Sequence, residues 1–132
     1  MLHHLQAAGR LLRRNPDGGS VVLLSSALAR QGIAGNTVYA ASKAAIEGAV
    51  AAAARELGPL GIRVNAVAPG FVATDLTAAL SDAHRAAMAD AAALPWPVTA
   101  EDVAAAIGFL LSPAARCITG QVLGVDAGLR PR

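Results

Sequence analysis

At 132 residues, 55% of them hydrophobic and 15% charged, the chain has the material for one domain with a real core and does not read as disordered. A formal charge of +2, basic residues that never cluster beyond Arg13-Arg14 and an aromatic content of 3% exclude the basic and stacking surfaces of nucleic-acid binders. The lone Cys117 forms no internal disulfide and no window approaches the roughly 18 apolar residues of a membrane span, so a protein of the reducing cytoplasm is expected.

Leu2, Leu5, Leu11 and Leu12 fall near helical spacing and "NPDGG" breaks the pattern, so residues 2–14 read as the tail of a helix. His3 and His4 are adjacent and share no helical face, which makes them surface side chains rather than metal ligands. "SVVLL", residues 20–24, lies between Gly18-Gly19 and Ser25-Ser26 and predicts a parallel strand covered on both faces. After breakers at Gly32, Gly35 and Asn36, an alanine-rich helix is expected from Thr37 to Leu57, stopped by Gly58-Pro59. Its only charges are Lys43, Glu47, Arg55 and Glu56, so other helices or another subunit could approach closely, and much of its surface is expected to be buried.

Ile62, Val64, Ala66 and Ala68 alternate with Arg63, Asn65 and Val67 in a second strand that ends at Pro69-Gly70. A loop and a helical stretch over "SDAHRAAMADAAAL" follow, and "PWP" interrupts them. Thr99 as N-cap with Asp102 three residues on opens the next helix, and "QVLGVDAG" gives a third strand. "TGQVLGVD" imitates a glycine-rich nucleotide fingerprint but follows a helix and leads into a strand, the reverse of what a fingerprint requires. Cys117 reads as a small buried apolar residue. Strand, helix, strand, helix, strand is the alternation of an α/β domain with right-handed parallel crossovers.

In such sheets ligands gather outside the carboxyl ends of the strands, where Ser25-Ser26, Pro69-Gly70 and the start of the Tyr39 helix converge. Tyr39 and Lys43, four positions apart, share a helical face. A fixed cation near a phenol favours the phenolate, making the tyrosine a better proton donor and acceptor near neutral pH, and a nearby seryl hydroxyl could hold a substrate carbonyl. Alone, Tyr-x-x-x-Lys fits a solvated helix face better than a catalytic pair. Its neighbours change that weighting. Ser26 stands thirteen positions before Tyr39, and "SSALARQGIAGNTVYAASK", "RVNAVAPGFVATD" and "ITGQVLGVDAG" follow one another in the chain. Together they closely resemble the C-terminal half of the short-chain dehydrogenase/reductase family, over about residues 18–129.

The resemblance implies a partial Rossmann-like, doubly wound parallel sheet made of the family's last three strands with flanking helices. It implies an oxidoreductase that moves hydride between NAD(H) or NADP(H) and a carbonyl or alcohol carbon. By the same resemblance Tyr39 would be the general acid/base, Lys43 would lower its pKa and hydrogen-bond the nicotinamide ribose, and Ser26 would orient the substrate carbonyl. Ser25 would be a strand-ending hydroxyl and Asn65 a structural residue at a strand end. Pro69 and Gly70 would bend the chain beside the nicotinamide, and Val72 and Thr74 would meet its carboxamide. Residues from about 73 to 97 match the family's variable substrate-covering segment, where Leu76, Leu80, Met88, Leu94 and Trp96 offer apolar contacts. "GFVATDLTAALSD" is reminiscent of the 3-oxoacyl carrier-protein reductases within the family.

The resemblance starts past the family's first four strands, its phosphate-binding glycines, its NAD-versus-NADP selector and its helix asparagine. Residues 1–132 are therefore expected to be a single domain, the catalytic half without the dinucleotide-binding half, making nicotinamide-side contacts only. Turnover is expected to be incomplete without the other half, and the first strand to show an open apolar edge at residues 21–24. Family members assemble through the Tyr-Lys helix and the last strand, which makes about residues 37–57 and 118–129 the expected surfaces for a homo-oligomer or a complementary chain. A noncatalytic oligomerising or interaction subunit, or a truncated remnant, is the alternative to an enzyme. A small-molecule carbonyl or alcohol is the expected substrate, with no metal, nucleic acid or membrane partner.

Overall fold

The computed structural model describes residues 1–31, 33–73, 86–87 and 90–129. Helix α1 runs over Leu2–Leu12, strand β1 over Gly19–Leu24, helix α2 over Thr37–Leu57 and strand β2 over Ile62–Pro69; helix α3 follows at Ala100–Leu111 and strand β3 at Val122–Val125. The strands form one parallel sheet in the order β1-β2-β3, the predicted α/β class. "TGQVLGVD" leads into β3, as its context required.

Alternation along β2 decides how the layers stack. Register sets Val21 beside Val64, Leu23 beside Ala66 and Ala66 beside Val122, which gathers their apolar side chains on one face of the sheet. Against that face α1 and α2 bring Leu5, Ile46, Val50, Ala53 and Ala54. Val50, Val64 and Ala66 are fully buried, and burying a valine contributes about 1.5–3 kcal/mol. The other face of β2 carries Arg63, Asn65 and Val67 and meets α3, whose Leu110 is buried.

Polar groups on that second face tie the layers together. Arg63 donates from Nη1 to the Leu110 carbonyl at 2.6 Å and from Nη2 to the carbonyls of Leu111 and Ser112 at 3.3 and 3.2 Å. Ser20 Oγ adds a bond to the Leu110 carbonyl at 3.1 Å. The carbonyls of Leu110 and Leu111 belong to the last turn of α3, which the helix itself leaves unpaired, so a strand cation both satisfies them and meets the negative end of the helix dipole. Asn65 is fully buried, donates from Nδ2 to the Ile118 carbonyl at 2.9 Å and accepts at Oδ1 from the Gln121 amide at 3.0 Å. It thereby fixes the segment that delivers β3 to the sheet. It lies inside β2, not at a strand end as the resemblance implied.

At the opposite rim, Gly18 and Gly61 adopt φ of +73° and +70°. A Cβ on Gly18 would lie 2.2 Å from the Gly61 carbonyl oxygen, so only glycine admits this crossing of the two chain segments. The predicted capping box at the start of α3 is present: Asp102 N donates to Thr99 Oγ1 at 3.2 Å and Thr99 N donates to Asp102 Oδ2 at 2.9 Å. The hydroxyl of Thr99 and then its backbone amide, both donating to Asp102, hold that carboxyl below its ordinary value of 3.8.

Three further expectations differ from the structure. β1 is half-buried rather than covered on both faces, because it pairs on one side only and Leu24 is 50% exposed. The buried side chains of α2 are Ile46, Val50, Ala53 and Ala54, while Ala41, Ala44, Ala45, Gly48, Ala51 and Ala52 form an exposed flank, since the sheet covers one side of a helix that has small residues all round. Cys117 is exposed, because it follows the turn at residues 113–115 on the surface approach to β3. Half of the helical stretch predicted after β2, residues 81–85 and 88–89, lies outside the described residues. No helix among the described residues is long and apolar enough to cross a membrane.

Replacing Asn65 by Leu keeps the volume and strands the Ile118 carbonyl and the Gln121 amide; a loss of about 1–3 kcal/mol for each stranded group is expected in urea unfolding. A near-zero change would show that Asn65 does not hold β3. For Asp102 the folded-state carboxyl titrates below the unfolded one, so its stabilisation is complete above pH 3.8 and fades as pH falls beneath that value. Asp102→Asn is therefore expected to flatten the acid limb of stability against pH, measured by thermal unfolding, and an identical acid limb would contradict the capping role.

Candidate active site

The carboxyl ends of β1 and β2 lie side by side. Leu24 pairs with Val67, and the Ser25 amide continues the ladder by donating to the Val67 carbonyl at 2.8 Å. Immediately beyond, the chain leaves the sheet in a single 3-10 turn at residues 27–29, capped by Ser26, whose Oγ accepts from the Leu28 amide at 3.2 Å. This bond fixes the oxygen and leaves the hydroxyl proton of Ser26 free to donate. Ser26 itself is 8% exposed.

α2 begins at Thr37, which places Tyr39 in its first turn and Lys43 one turn further along the same face. Lys43 Nζ donates to the Leu24 carbonyl at 3.1 Å and lies 5.6 Å from the centroid of the Tyr39 ring. A single protein bond leaves the ammonium two further donors at the rim. Tyr39 is 39% exposed, and among the described residues its hydroxyl has no hydrogen-bond partner. Two residues predicted from one motif are thus brought together, and the cation of the pair is anchored to the residue that precedes Ser25-Ser26.

β2 ends at Pro69, and the Gly70 amide donates to the Val125 carbonyl at 2.9 Å. A Cβ on Gly70 would stand 2.8 Å from Asp126 Cα, so glycine is required because the end of β3 passes directly against it. Val72 then forms a parallel bridge with Val98. Thr74, Leu76, Leu80 and Met88 lie outside the described residues. Leu94 and Trp96 are exposed, and the Ala93 and Leu94 amides both donate to the Ala127 carbonyl, at 2.9 and 3.0 Å. Leu94 and Trp96 line a cleft with Phe71 and Leu129.

Two side chains not singled out as functional from sequence, Glu47 and Arg30, adjoin the site together with Ser25. Ser25, 2% exposed, shares its hydroxyl proton between the Lys43 carbonyl and Glu47 Oε1, each at 3.2 Å. Arg30 Nε pairs with Glu47 Oε2 at 2.8 Å. Glu47 follows Lys43 by four residues, so helical spacing alone could have placed it on the Tyr39 face. No local signal points to Arg30. Among the described residues, no group of three or more His, Cys, Asp or Glu could hold a metal ion.

The site's residues fit the nicotinamide end of a dinucleotide. The rim offers an ammonium with donors to spare and a hydroxyl with its proton unspent. Residues 1–130 match the family model described as enoyl-(acyl carrier protein) reductase. The chain is 42% identical over 111 residues to the 3-oxoacyl-(acyl-carrier-protein) reductase of Pseudomonas aeruginosa, covering 84% of this chain and 45% of that protein. It is 40% identical over 124 residues to the enzyme of the same description from Staphylococcus aureus, covering 94% and 50%. A short-chain type dehydrogenase/reductase from Mycobacterium ulcerans superposes with a TM-score of 0.92 at 38% identity, over 97% of this chain and 47% of the other. A blue fluorescent protein from a metagenomic library, solved in complex with NADPH, superposes with a TM-score of 0.84 at 36% identity, over 96% and 52%. The chain spans about half the length of the curated relatives it matches. Its sheet, its rim and its relatives agree: the chain belongs to the short-chain dehydrogenase/reductase family.

Proposed function

We propose that this chain carries the proton-transfer half of an NAD(P)-dependent carbonyl reductase, with Ser26, Tyr39 and Lys43 as its catalytic residues. The observation that carries the reading is Lys43, whose ammonium sits beside the Tyr39 ring and is bonded to the carbonyl that ends β1. Bound reduced nicotinamide supplies the hydride that reaches the substrate's carbonyl carbon. Ser26 donates its hydroxyl proton as a hydrogen bond to the carbonyl oxygen and holds it in place. Tyr39 gives its phenolic proton to that oxygen as negative charge builds there, forming the alcohol. The nearby Lys43 ammonium stabilises the phenolate left behind, and a proton from water restores the phenol. In the oxidative direction Tyr39 takes the proton back.

Lys43 also binds the nicotinamide ribose through its remaining donors, and Pro69, Gly70, Val72 and Thr74 form the wall beside the nicotinamide ring. This chain makes the nicotinamide-side contacts only. The phosphate and adenosine contacts come from a segment of the kind that fills the other half of its relatives, and turnover is incomplete without it. The substrate is a small carbonyl or alcohol. Similarity to 3-oxoacyl-(acyl-carrier-protein) reductases supports a 3-oxoacyl thioester, whereas the matched family description names an enoyl reduction. A phenol paired with an ammonium suits proton delivery to a carbonyl oxygen and favours the carbonyl.

A second reading is a noncatalytic oligomerising subunit of the cytoplasm. What favours it is the exposed flank of small residues on α2 and the exposed Leu123 on β3, within residues 37–57 and 118–129. The two readings separate when purified chain is assayed with NADH and NADPH on a 3-oxoacyl thioester, alone and with a separately expressed N-terminal half of a relative. Reduction is expected once that half is added, and Tyr39→Phe is expected to lower kcat by about 10²–10⁴-fold. An unchanged rate in Tyr39→Phe would remove the proton-transfer assignment. Ordinary activity of the chain alone would remove the need for a second half. Neither turnover nor nucleotide binding in both settings, with a stable oligomer, would establish the second reading.

A further inference from the structure

We propose that Glu47 is a positioning residue that clamps the Ser26 loop onto the helix carrying Tyr39 and Lys43; its catalytic consequence rests on the function proposed above. Tyr39, Lys43 and Glu47 follow one another at four-residue steps, so a single stripe of α2 faces residues 25–30. The top of the stripe bears the phenol and ammonium. Its next turn bears a carboxylate that is 16% exposed at the side chain and has one partner for each oxygen. Oε1 accepts from Ser25, which immediately precedes Ser26, and Oε2 accepts from Arg30, which closes the turn that Ser26 caps. Glu47 therefore grips the loop at both ends, and Ser26 lies between its two points of attachment.

The grip also keeps charges apart. Glu47 and Lys43 are spaced to pair with each other along the helix, and such a pair would draw the ammonium away from the rim. Instead Arg30 takes the carboxylate, at 2.8 Å, while Lys43 reaches the Leu24 carbonyl and the Tyr39 ring. The Ser25 bond to Glu47 lies at a nearly fully buried hydroxyl, whereas the Arg30 side chain is 57% exposed and its ion pair is screened by solvent. The two attachments therefore differ in weight: loss of the carboxylate frees the loop more than loss of the arginine.

Amide hydrogen exchange of the full chain tests this without cofactor or turnover. The reporters are Leu28, Ala29 and Arg30, whose amides are bonded within the turn to Ser26 Oγ, the Ser26 carbonyl and the Ala27 carbonyl. Glu47→Ala is expected to speed their exchange about tenfold or more, and Arg30→Ala about two- to fivefold. Glu47→Gln retains an acceptor for Ser25 and should restore part of the protection. The Val64–Val67 amides of β2 should exchange unchanged in all three variants, because the effect is local. Unchanged turn amides in Glu47→Ala, or an equal rise in β2, would overturn the proposal. In the active enzyme the same variant is expected to lower kcat about tenfold and leave the KM for NADPH unchanged, a split that general loosening would not produce. Failure of carbonyl reduction in the unsubstituted protein would remove the proposed function, while the exchange result would still decide whether Glu47 clamps the loop.

Discussion

Everything in this fold is referred to β2. Among the described strands it alone has a strand on each side and helices over both faces, and Val64, Asn65, Ala66 and Val67 are all completely withdrawn from solvent. A strand so placed must have every polar group paired. β1 and β3 satisfy its backbone through parallel ladders, and Thr119, Gly120 and Gln121 complete the pairing beside Val64 and Ala66. Asn65 is the one uncharged polar side chain on the buried strand, and it spends both ends of its amide on the approach to β3. Its neighbour Arg63 reaches the end of α3 instead. Packing on one face and polar capping on the other thus share one strand, segregated by the period of two.

The position of the rim follows from this. With β2 fixed, β1 in register beside it and α2 packed across both, the first turn of α2 must emerge above the ends of the strands. Its stripe of polar residues then has only the loop after β1 to face. Lys43 bonds to the last carbonyl of β1 and Ser25 bonds back to the Lys43 carbonyl, so helix and strand end are linked in both directions. The proposed chemistry needs no residue from the apolar core. It needs that core to hold two chain ends at one height, and the parallel topology does so because β1 and β2 both finish at the same edge of the sheet.

Local signals made much of this legible. An apolar run between glycines and serines marked β1, strict alternation marked β2, and the Thr99-Asp102 pair marked the start of α3, since each of these features is decided by residues within a few positions of one another. The Tyr39-Lys43 pair was legible for the same reason, its partners being one helical turn apart. What escaped was decided at a distance. Arg63 and the α3 carbonyls are separated by 47–49 positions, and Asn65 and its partners by 53 and 56, so no window along the chain contains both groups. Arg30 could not be distinguished from any other loop arginine until Glu47 was seen opposite it. The covering of β1 and α2 was overestimated for a related cause: an apolar run or an alanine-rich surface states what could be buried, and the neighbours decide how much is. Cys117 errs in the same way, its apolar character overridden by a position on the surface turn before β3.

The central claim is that nicotinamide meets this chain at the carboxyl rim of the sheet, between the Ser26 loop, the start of α2 and the end of β2. Titrating NADPH into isotopically labelled chain and following its amide resonances tests this most directly. The account predicts that the shifted signals cluster at Leu24–Leu28, Tyr39–Lys43 and Gly70–Val72, while those of Gly18, Gly19 and Gly61 at the opposite rim stay in place. Shifts centred on that opposite rim or on the groove lined by α1 and α2, or none even after the complementary half of a relative is added, would contradict it.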